Sequence, residues 1–320
     1  MRVLFVCSGN SNFGISPFIK SQGESLRKCG IELEYFPIVG KGLKGYISNI
    51  KPLKKFIKHH KFDIIHAHYG LCGIIACFSK RRETLVVSFM GDDLIGENKM
   101  DGSYTLTGKL QILINKVFIH FCFDGIIVKS LQMKNLLKAN NVNIIPNGVD
   151  FNLFFPIDKI ESKKYLGLNM KKKYILFVGN KDRPEKNFKL AKDAIDLLKD
   201  RNIKLLIVEN IPYEKLNFYY NSAELLLLTS FHEGSPNVIK EAMACNCPIV
   251  STEVGDVKEV TGSTVGCYIT PFEPKEVAEK LKTALSFGKR TNGRQNIRHL
   301  KCGVIAGKVI NLYKDVLKSS

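Results

Sequence analysis

Short apolar runs alternate with stretches of helical periodicity along the whole chain. RVLFVCSG, a helix near Pro17–Cys29 and ELEYFPI read as strand, helix, strand. A helix over Lys51–His60, the strand FDIIHAHY and the small-residue helix GLCGIIACFS follow. TLVVSFMG, a long helix around Tyr104–Cys122, DGIIVKS, a helix from Leu131 to Lys138 and VNIIPNG complete a first alternation. Between Asn147 and Lys173 lies a linker-like segment with turns, a proline and a lysine run. KYILFVGN then opens a second alternation. It holds helix Lys186–Lys199, strands KLLIVE and ELLLLTS, a helix after Gly234, strands PIVST and YIT, a helix near Pro274 and a last helix from roughly Cys302 to Leu317. Runs of Ile, Val, Leu and Phe bounded by Gly, Asp and Asn suit parallel strands covered on both faces. Two successive βα alternations predict an α/β chain of two Rossmann-like, doubly wound domains facing one another across a cleft. The break falls near 150, giving domains 1–150 and 151–301. In such sheets ligands bind beyond the carboxyl ends of the strands, so the turns at those ends carry the search for chemistry.

Length agrees, since 320 residues suit two domains of roughly 150 each. Nine cysteines lie scattered with no CxxC pair, and Cys245-Asn-Cys247 is too close for a usual zinc knuckle. They read as small buried hydrophobes of a reducing compartment, and no metal site is expected. MRVLFVCSGN reads as a strand and turn rather than a signal peptide. The longest apolar stretch, LQILINKVFIHFCFDGIIV, is interrupted by Lys116, His120 and Asp124, short of the roughly 20 residues needed to cross a bilayer. The expectation is a cytoplasmic chain, or one lying on the inner face of the cell membrane.

Charge changes the picture most. The formal net charge is +18, and Lys41–Lys61 holds seven lysines and no acid. Such a field suits nucleic acid, anionic lipid headgroups or a diphosphate ligand, and equally a set of solvated helix faces. No helix-turn-helix, zinc-finger or RNP-type pattern accompanies it, so no nucleic-acid partner is expected.

Three turns are candidates. In VCSGNSNFGISPFIKSQ, Gly9 and Gly14 flank a polar run, and Ser16-Pro17 suits the start of a helix that can hold a phosphate on its amides. The spacing is not GxGxxG, and a purely structural turn fits as well. In VGNKDRPEKNF, Arg183 and Lys186 could neutralise a departing diphosphate, or simply be solvated cations. No Asp-x-Asp pair stands ready to hold a metal there. In FHEGSPNVIKEAMACNCPIVST, Ser235 and Pro236 fit the N-cap and N1 of a helix whose free amides begin near Asn237. Glu233 and Glu241 are eight positions apart, and Glu241 lies roughly 9 Å along that helix, so the two cannot form a close acid–base pair. They could contact different parts of one extended ligand, each accepting hydrogen bonds from hydroxyls.

The segment from Phe231 to Val260, with seven residues between Glu233 and Glu241, resembles the signature of retaining glycosyltransferases of family 4. FDIIHAHYG, SFMGDDL, IIPNGVD, ILFVGNKDRPEKNF and INLYKDVL occur in that family's order, so the resemblance spans nearly the whole chain. It implies the GT-B fold, with the helix at about 302–320 packing back on the first domain. It implies further that Glu233 contacts the donor sugar, Glu241 the ribose, and the amides around Gly234, Ser235, Pro236, Asn237 and Val238 the sugar or phosphate oxygens. Lys186 matches the lysine on the diphosphate. Asn180 stands where the family has an arginine, and Arg183 is the candidate to supply that charge from a displaced position. Met90 occupies a histidine slot, with His66 and His68 as candidate substitutes, while Asp93 keeps the acidic position and is the candidate contact to acceptor or donor. His232 orients the motif loop on this reading, although a satisfied structural histidine is the alternative for each.

The expected activity is retaining, metal-independent transfer of a sugar from a nucleotide-diphosphate donor, a UDP-sugar favoured, to an acceptor hydroxyl. No cofactor is expected. The acceptor is expected to be a glycan or lipid-linked glycan of surface polysaccharide or glycolipid assembly, with 41–61 resting on anionic lipid. Two other GT-B roles remain open at this point. One is a nucleotide-sugar epimerase; the other is a non-catalytic partner subunit, suggested by Met90 and Asn180.

Overall fold

The computed structural model describes residues 1–96, 105–137, 139 and 141–319. Of these, residues up to 148 together with the helix from Cys302 form one compact unit, and Val149–Lys301 form the second.

The first unit is built on β1 (Arg2–Ser8), β2 (Glu32–Ile38), β3 (Ile64–His68), β4 (Thr84–Ser88), β5 (Gly125–Val128) and β6 (Val142–Ile144). All pair in parallel, in the order β2-β1-β3-β4-β5-β6. Its connections are α1 (Pro17–Lys28), α2 (Gly42–Ile47), α3 (Ile50–His59), α4 (Gly70–Ser79), α5 (Asp92–Ile95), α6 (Leu106–Phe121) and α7 (Leu131–Asn135). Helix α2 was absent from the sequence reading, because GLKGYI carries two glycines and too few apolar positions to show a period. Strands β3 and β4 are buried along their length, as parallel strands covered on both faces must be. One face packs Leu4, Ile65, Val87 and Ile126 against helices including α3 and α4. The expected helix ends at Tyr104 and Lys138 lie outside the described residues.

The second unit carries β7 (Lys173–Val178), β8 (Ile203–Val208), β9 (Leu225–Leu228), β10 (Ile249–Thr252) and β11 (Cys267–Thr270), again all parallel, in the order β11-β10-β9-β7-β8. Its helices are α8 (Lys159–Tyr165), α9 (Phe188–Leu198), α10 (Leu216–Ser222), α11 (Asn237–Ala244), α12 (Val257–Thr261), α13 (Pro274–Phe287) and α14 (Gly293–Asn296). The helix expected over 186–199 is split: a 3-10 turn spans Pro184–Lys186, Asn187 turns left-handed at φ 47°, and α9 starts at Phe188. Strand β8 is half exposed because it forms the sheet edge, where a second apolar face is not required.

The chain returns to the first unit as α15 (Cys302–Ser319), which packs on α1 and against β4 and β5. Gly148 is required where the returning backbone passes: a Cβ there would sit 2.7 Å from the Cα of Cys302. Tyr313 of α15 is fully buried and meets His66 Nδ1 through its hydroxyl at 2.6 Å. Of the nine cysteines, all free, Cys7, Cys72, Cys245 and Cys247 are buried, whereas Cys29 is exposed, so the expectation of uniformly buried thiols is corrected. Among the described residues no helix is long and apolar enough to cross a membrane.

Candidate active site

Both sheets place strand 1 of their unit beside strand 3, with strand 2 on the outside. The switch points are therefore β1/β3 in the first unit and β7/β9 in the second, and ligands of open parallel sheets bind beyond the carboxyl ends at such points. In the second unit this brings two of the candidate turns together.

The turn after β7 begins at Gly179, whose φ of 135° is barred to most side chains; the aliphatic stem of Lys186 lies over it, 3.5 Å from where a Cβ would be. Asn180 is exposed and shapes the turn itself: its Oδ1 accepts from the amide of Asp182 at 2.8 Å. Two bonds fasten this turn to the one after β9. The amide of Phe231 donates to the carbonyl of Glu185 at 2.8 Å, and Thr229 Oγ1 donates to the carbonyl of Lys186 at 3.0 Å. So held, Lys186 Nζ donates to Glu233 Oε1 at 2.7 Å, and Ser230 Oγ donates to the same oxygen at 2.8 Å. Each side chain of the Lys186–Glu233 pair keeps 17% of its surface exposed, so the pair is neither sealed nor fully solvated. Arg183 lies in the same turn, half exposed, and pairs with Glu185.

The loop from Glu233 to Pro236 is held close by Gly255, at φ 57°, whose missing Cβ would fall 2.8 Å from the carbonyl oxygen of Gly234. The helix start differs by one residue from the expected one. Pro236 is the N-cap and Asn237 the first helical residue, so Ser235 lies one position before the cap. Ser235 Oγ instead donates to Asp256 Oδ2 at 2.6 Å and accepts from Lys240 Nζ at 2.8 Å. The serine is used up in this buried bridge because Lys240, itself almost fully buried, needs polar partners. The amides of Asn237 and Val238 stand at the first turn of α11, both residues half-buried.

Glu241 is buried in α11 and accepts from Tyr213 OH at 2.6 Å and Tyr220 OH at 2.7 Å. Burial pushes its carboxyl above the usual range, opposed by the two tyrosine hydroxyls and by Lys240. Glu233 and Glu241 thus engage different partners. The sequence reading missed Tyr213, Tyr220, Ser230, Lys240 and Asp256; the tyrosines lie in IPYEKLNFYY, where no fixed spacing points toward an acid in a later helix.

In the first unit, Asp93 is fully buried at the end of the loop after β4. Its Oδ1 accepts from the amides of Met90 at 2.9 Å and Gly91 at 3.0 Å, and its Oδ2 from the amide of Gly70 at 2.9 Å. Burial still raises its carboxyl to about 6 against those amides. The side chain thus ties the loop after β4 to the start of α4. His66 is likewise a core residue, fully buried, with Nδ1 on Tyr313 and Nε2 on Ser88 Oγ at 2.8 Å. His68 stacks on His66 and meets Phe5 edge to face, its ring nitrogens buried without hydrogen-bond partners. Burial holds both imidazoles well below the usual range, hence neutral. His232 is buried in the loop before Glu233. Gly14 is exposed in the turn after β1, at φ 68°, where its amide donates to the carbonyl of Ser11 at 2.9 Å. Among the described residues no group of three or more His, Cys, Asp or Glu is placed to hold a metal ion.

Comparison with known proteins bears on the family and the fold. The pattern of the family described as "Glycosyltransferase Family 4" matches residues 17–153, and that of "Glycosyl transferases group 1" matches 208–286. The capsular polysaccharide biosynthesis glycosyltransferase CapM of Staphylococcus aureus is 24% identical over 95% of both chains. Curated relatives from Bacillus subtilis and Thermosipho melanesiensis are 26% and 25% identical, and the chain spans 60% and 66% of their length. Among solved structures, sucrose-phosphate synthase from Thermosynechococcus elongatus superposes with a TM-score of 0.83 over 100% of both chains at 16% identity. Anabaena HepE, solved with UDP and glucose, superposes with a TM-score of 0.69 over 99% of this chain and 98% of its own, also at 16% identity. These likenesses establish the GT-B fold.

Proposed function

The chain belongs to the group 1 glycosyltransferases of family 4, and on that premise we propose that it transfers a sugar from a nucleotide-diphosphate donor to an acceptor hydroxyl. The observation that carries the proposal is the Lys186–Glu233 pair at the β7/β9 switch point, mostly buried yet still open to solvent. A cation and a carboxylate fixed there can each exchange its partner for a ligand group, the lysine for a diphosphate oxygen and the glutamate for sugar hydroxyls.

The reaction on this reading proceeds with retention and without a metal. The bond from the anomeric carbon to the diphosphate oxygen breaks, and its electron pair stays on that oxygen. The acceptor oxygen attacks from the same face, and its proton passes to the departing phosphate. Lys186 stabilises the growing negative charge, and the amides of Asn237 and Val238 at the start of α11 hold phosphate or sugar oxygens. Glu241 receives the ribose hydroxyls; Tyr213, half-buried and outside the helical core, is the partner that gives way. Asp93 positions the first unit's loops rather than touching substrate.

A UDP-sugar is the favoured donor, supported by the fold shared with a neighbour solved with UDP and glucose. A glycan or lipid-linked glycan of surface polysaccharide or glycolipid assembly is the acceptor, supported by the capsular polysaccharide relative. The seven lysines of 41–61 are all exposed, which supports a place on anionic lipid at the inner face of the cell membrane. The test is a thermal-shift panel of UDP, GDP, ADP and TDP with their sugars, since a ligand of the folded state raises Tm by mass action. One nucleotide should stand out, with a shift reduced in Lys186→Ala and Glu241→Ala. Absence of any shift, or identical shifts in both variants, would sink the proposal.

A further inference from the structure

Helix α6 presents Leu110, Leu113, Val117 and Phe121 on its outer side, with 58%, 61%, 51% and 83% of their surfaces exposed. At 100° per residue these positions fall within an arc of about 80°, forming a continuous apolar stripe roughly 16 Å long. Its opposite side is occupied in the ordinary way, with Asn115 and Ile119 buried. A surface helix normally turns charges outward; single exposed apolar residues mean little, but a contiguous stripe marks a contact surface.

Neighbouring elements extend the same face. Helix α4 packs against both α3 and α6, so the three belong to one layer over the sheet. From α4, Phe78 is 53% exposed and meets Phe118 of α6 edge to face at 5.6 Å. From α3, Lys51, Lys54, Lys55 and Lys58 are exposed while Leu53 and Ile57 anchor the helix to the core. The sequences of α2, α3, α4 and α6 contain no Asp or Glu at all. The apolar stripe of α6 and the lysines of α3, in one layer with the acid-free α4 between them, match an anionic lipid surface in both its parts; of the two acids on the adjoining α5, Asp93 is buried and Asp92 half-buried.

We propose that α6 inserts its Leu110–Phe121 stripe into the headgroup–acyl boundary of an anionic membrane, with the α3 lysines seated on the headgroups. This extends the lipid-surface part of the function proposed above and rests on it. It assigns the hydrophobic grip to α6 and leaves the 41–61 stretch the electrostatic one.

Flotation of the full chain with vesicles of phosphatidylglycerol and phosphatidylcholine, against phosphatidylcholine alone, tests it. Phe121→Ser should weaken binding at least about tenfold, a loss that high salt does not erase, because it removes buried apolar area. Lys54→Gln with Lys55→Gln should weaken it by about fivefold per lysine at low salt and leave salt-resistant binding unchanged. Both variants should keep the wild-type nucleotide-dependent thermal shift, which reports on a folded chain and an intact second unit. Equal flotation of Phe121→Ser and wild type, or no wild-type flotation at low salt, overturns the proposal. So does a wild-type dimer that Phe121→Ser converts to monomer without any vesicle binding, since a second copy would then be the occupant. Vesicle binding without any nucleotide shift would instead count against the donor site and leave the membrane face supported.

Discussion

The carboxyl ends of the two sheets carry similar residue types and use them in opposite ways. In β3 and just beyond β4, His66, His68 and Asp93 are buried, and Asp93 and His66 spend their polar atoms on Gly70, Met90, Gly91, Ser88 and Tyr313. Beyond β7 and β9, Lys186 and Glu233 hold one another while each keeps 17% of its surface open. A sealed group shapes backbone and cannot readily change partner, because leaving its bonds unmade in the interior costs about 1–3 kcal/mol each. An ion pair that stays open to solvent can exchange its partner for a ligand group that makes an equal charge-assisted hydrogen bond. Ionisable groups near a switch point are sealed into the scaffold in one unit and stay open to a ligand in the other, and exposure separates the two.

The strongest way to break this contrast is Lys186→Ala. If the half-open lysine carries leaving-group charge, turnover with a nucleotide sugar should fall about 10²–10³-fold, roughly 3–4 kcal/mol in the barrier. The melting temperature should move little, since Glu233 keeps Ser230 and its access to water. A drop below about tenfold would place the charge elsewhere.

Next in size is Glu241→Ala, which lies between the two behaviours. Glu241 is as buried as the first unit's groups, yet one of its partners, Tyr213, is only half-buried. Removing the carboxylate leaves the fully buried Tyr220 hydroxyl without its acceptor and opens a gap, for a loss of about 3 kcal/mol in urea unfolding. Glu241→Gln keeps an acceptor and should recover most of that stability while still weakening nucleotide binding. If Gln binds nucleotide as well as wild type, the ribose is held elsewhere.

Asp93→Asn probes the sealed side. Burial holds this carboxyl at about 6 against an ordinary 3.8, so between those values the folded chain retains a proton that the unfolded chain has released. Stability from this group then declines as pH rises from about 4 to about 6 and levels off above. Wild type should lose about 2 kcal/mol relative to the variant between about pH 4.5 and 7, read from urea curves of both. A constant difference would mean that the three amides keep the carboxylate ionised throughout. The variant should also be less stable at every pH, because an amide nitrogen cannot accept from Gly70 or Gly91.

How much of this was legible in the sequence follows from the range of each interaction. Apolar runs such as TLVVS and GIIV announce buried parallel strands locally, and two alternations give two sheets. The motif turns were legible because Gly, Pro and Asn set backbone angles over a few residues. Three features were not. Helix α2 has no period to show. The left-handed Asn187 that separates the Pro184–Lys186 turn from α9 looks like an ordinary helical position. The tyrosines over Glu241 come from 28 and 21 positions away, a pairing that only packing decides. Asp93 taught the converse: a carboxylate in the right place in the chain can be consumed by its own loop.

The smallest expected effect separates two cations in one turn. Arg183 lies three residues before Lys186, was the candidate to replace the charge absent at Asn180, and is half exposed. It pairs with Glu185, whereas Lys186 pairs with Glu233. The guanidinium is the open end of this pair, so the field it casts on a ligand is screened by salt. Arg183→Ala should therefore cut turnover less than about fivefold, with the residual loss vanishing as salt is raised. Combined with Lys186→Ala, the losses should add if each cation acts alone on the diphosphate. A fall in Arg183→Ala comparable to that of Lys186→Ala, or strong non-additivity in the double variant, would show that the arginine swings onto the donor. Exposure in the unliganded chain would then be a poor guide to which cation does the work.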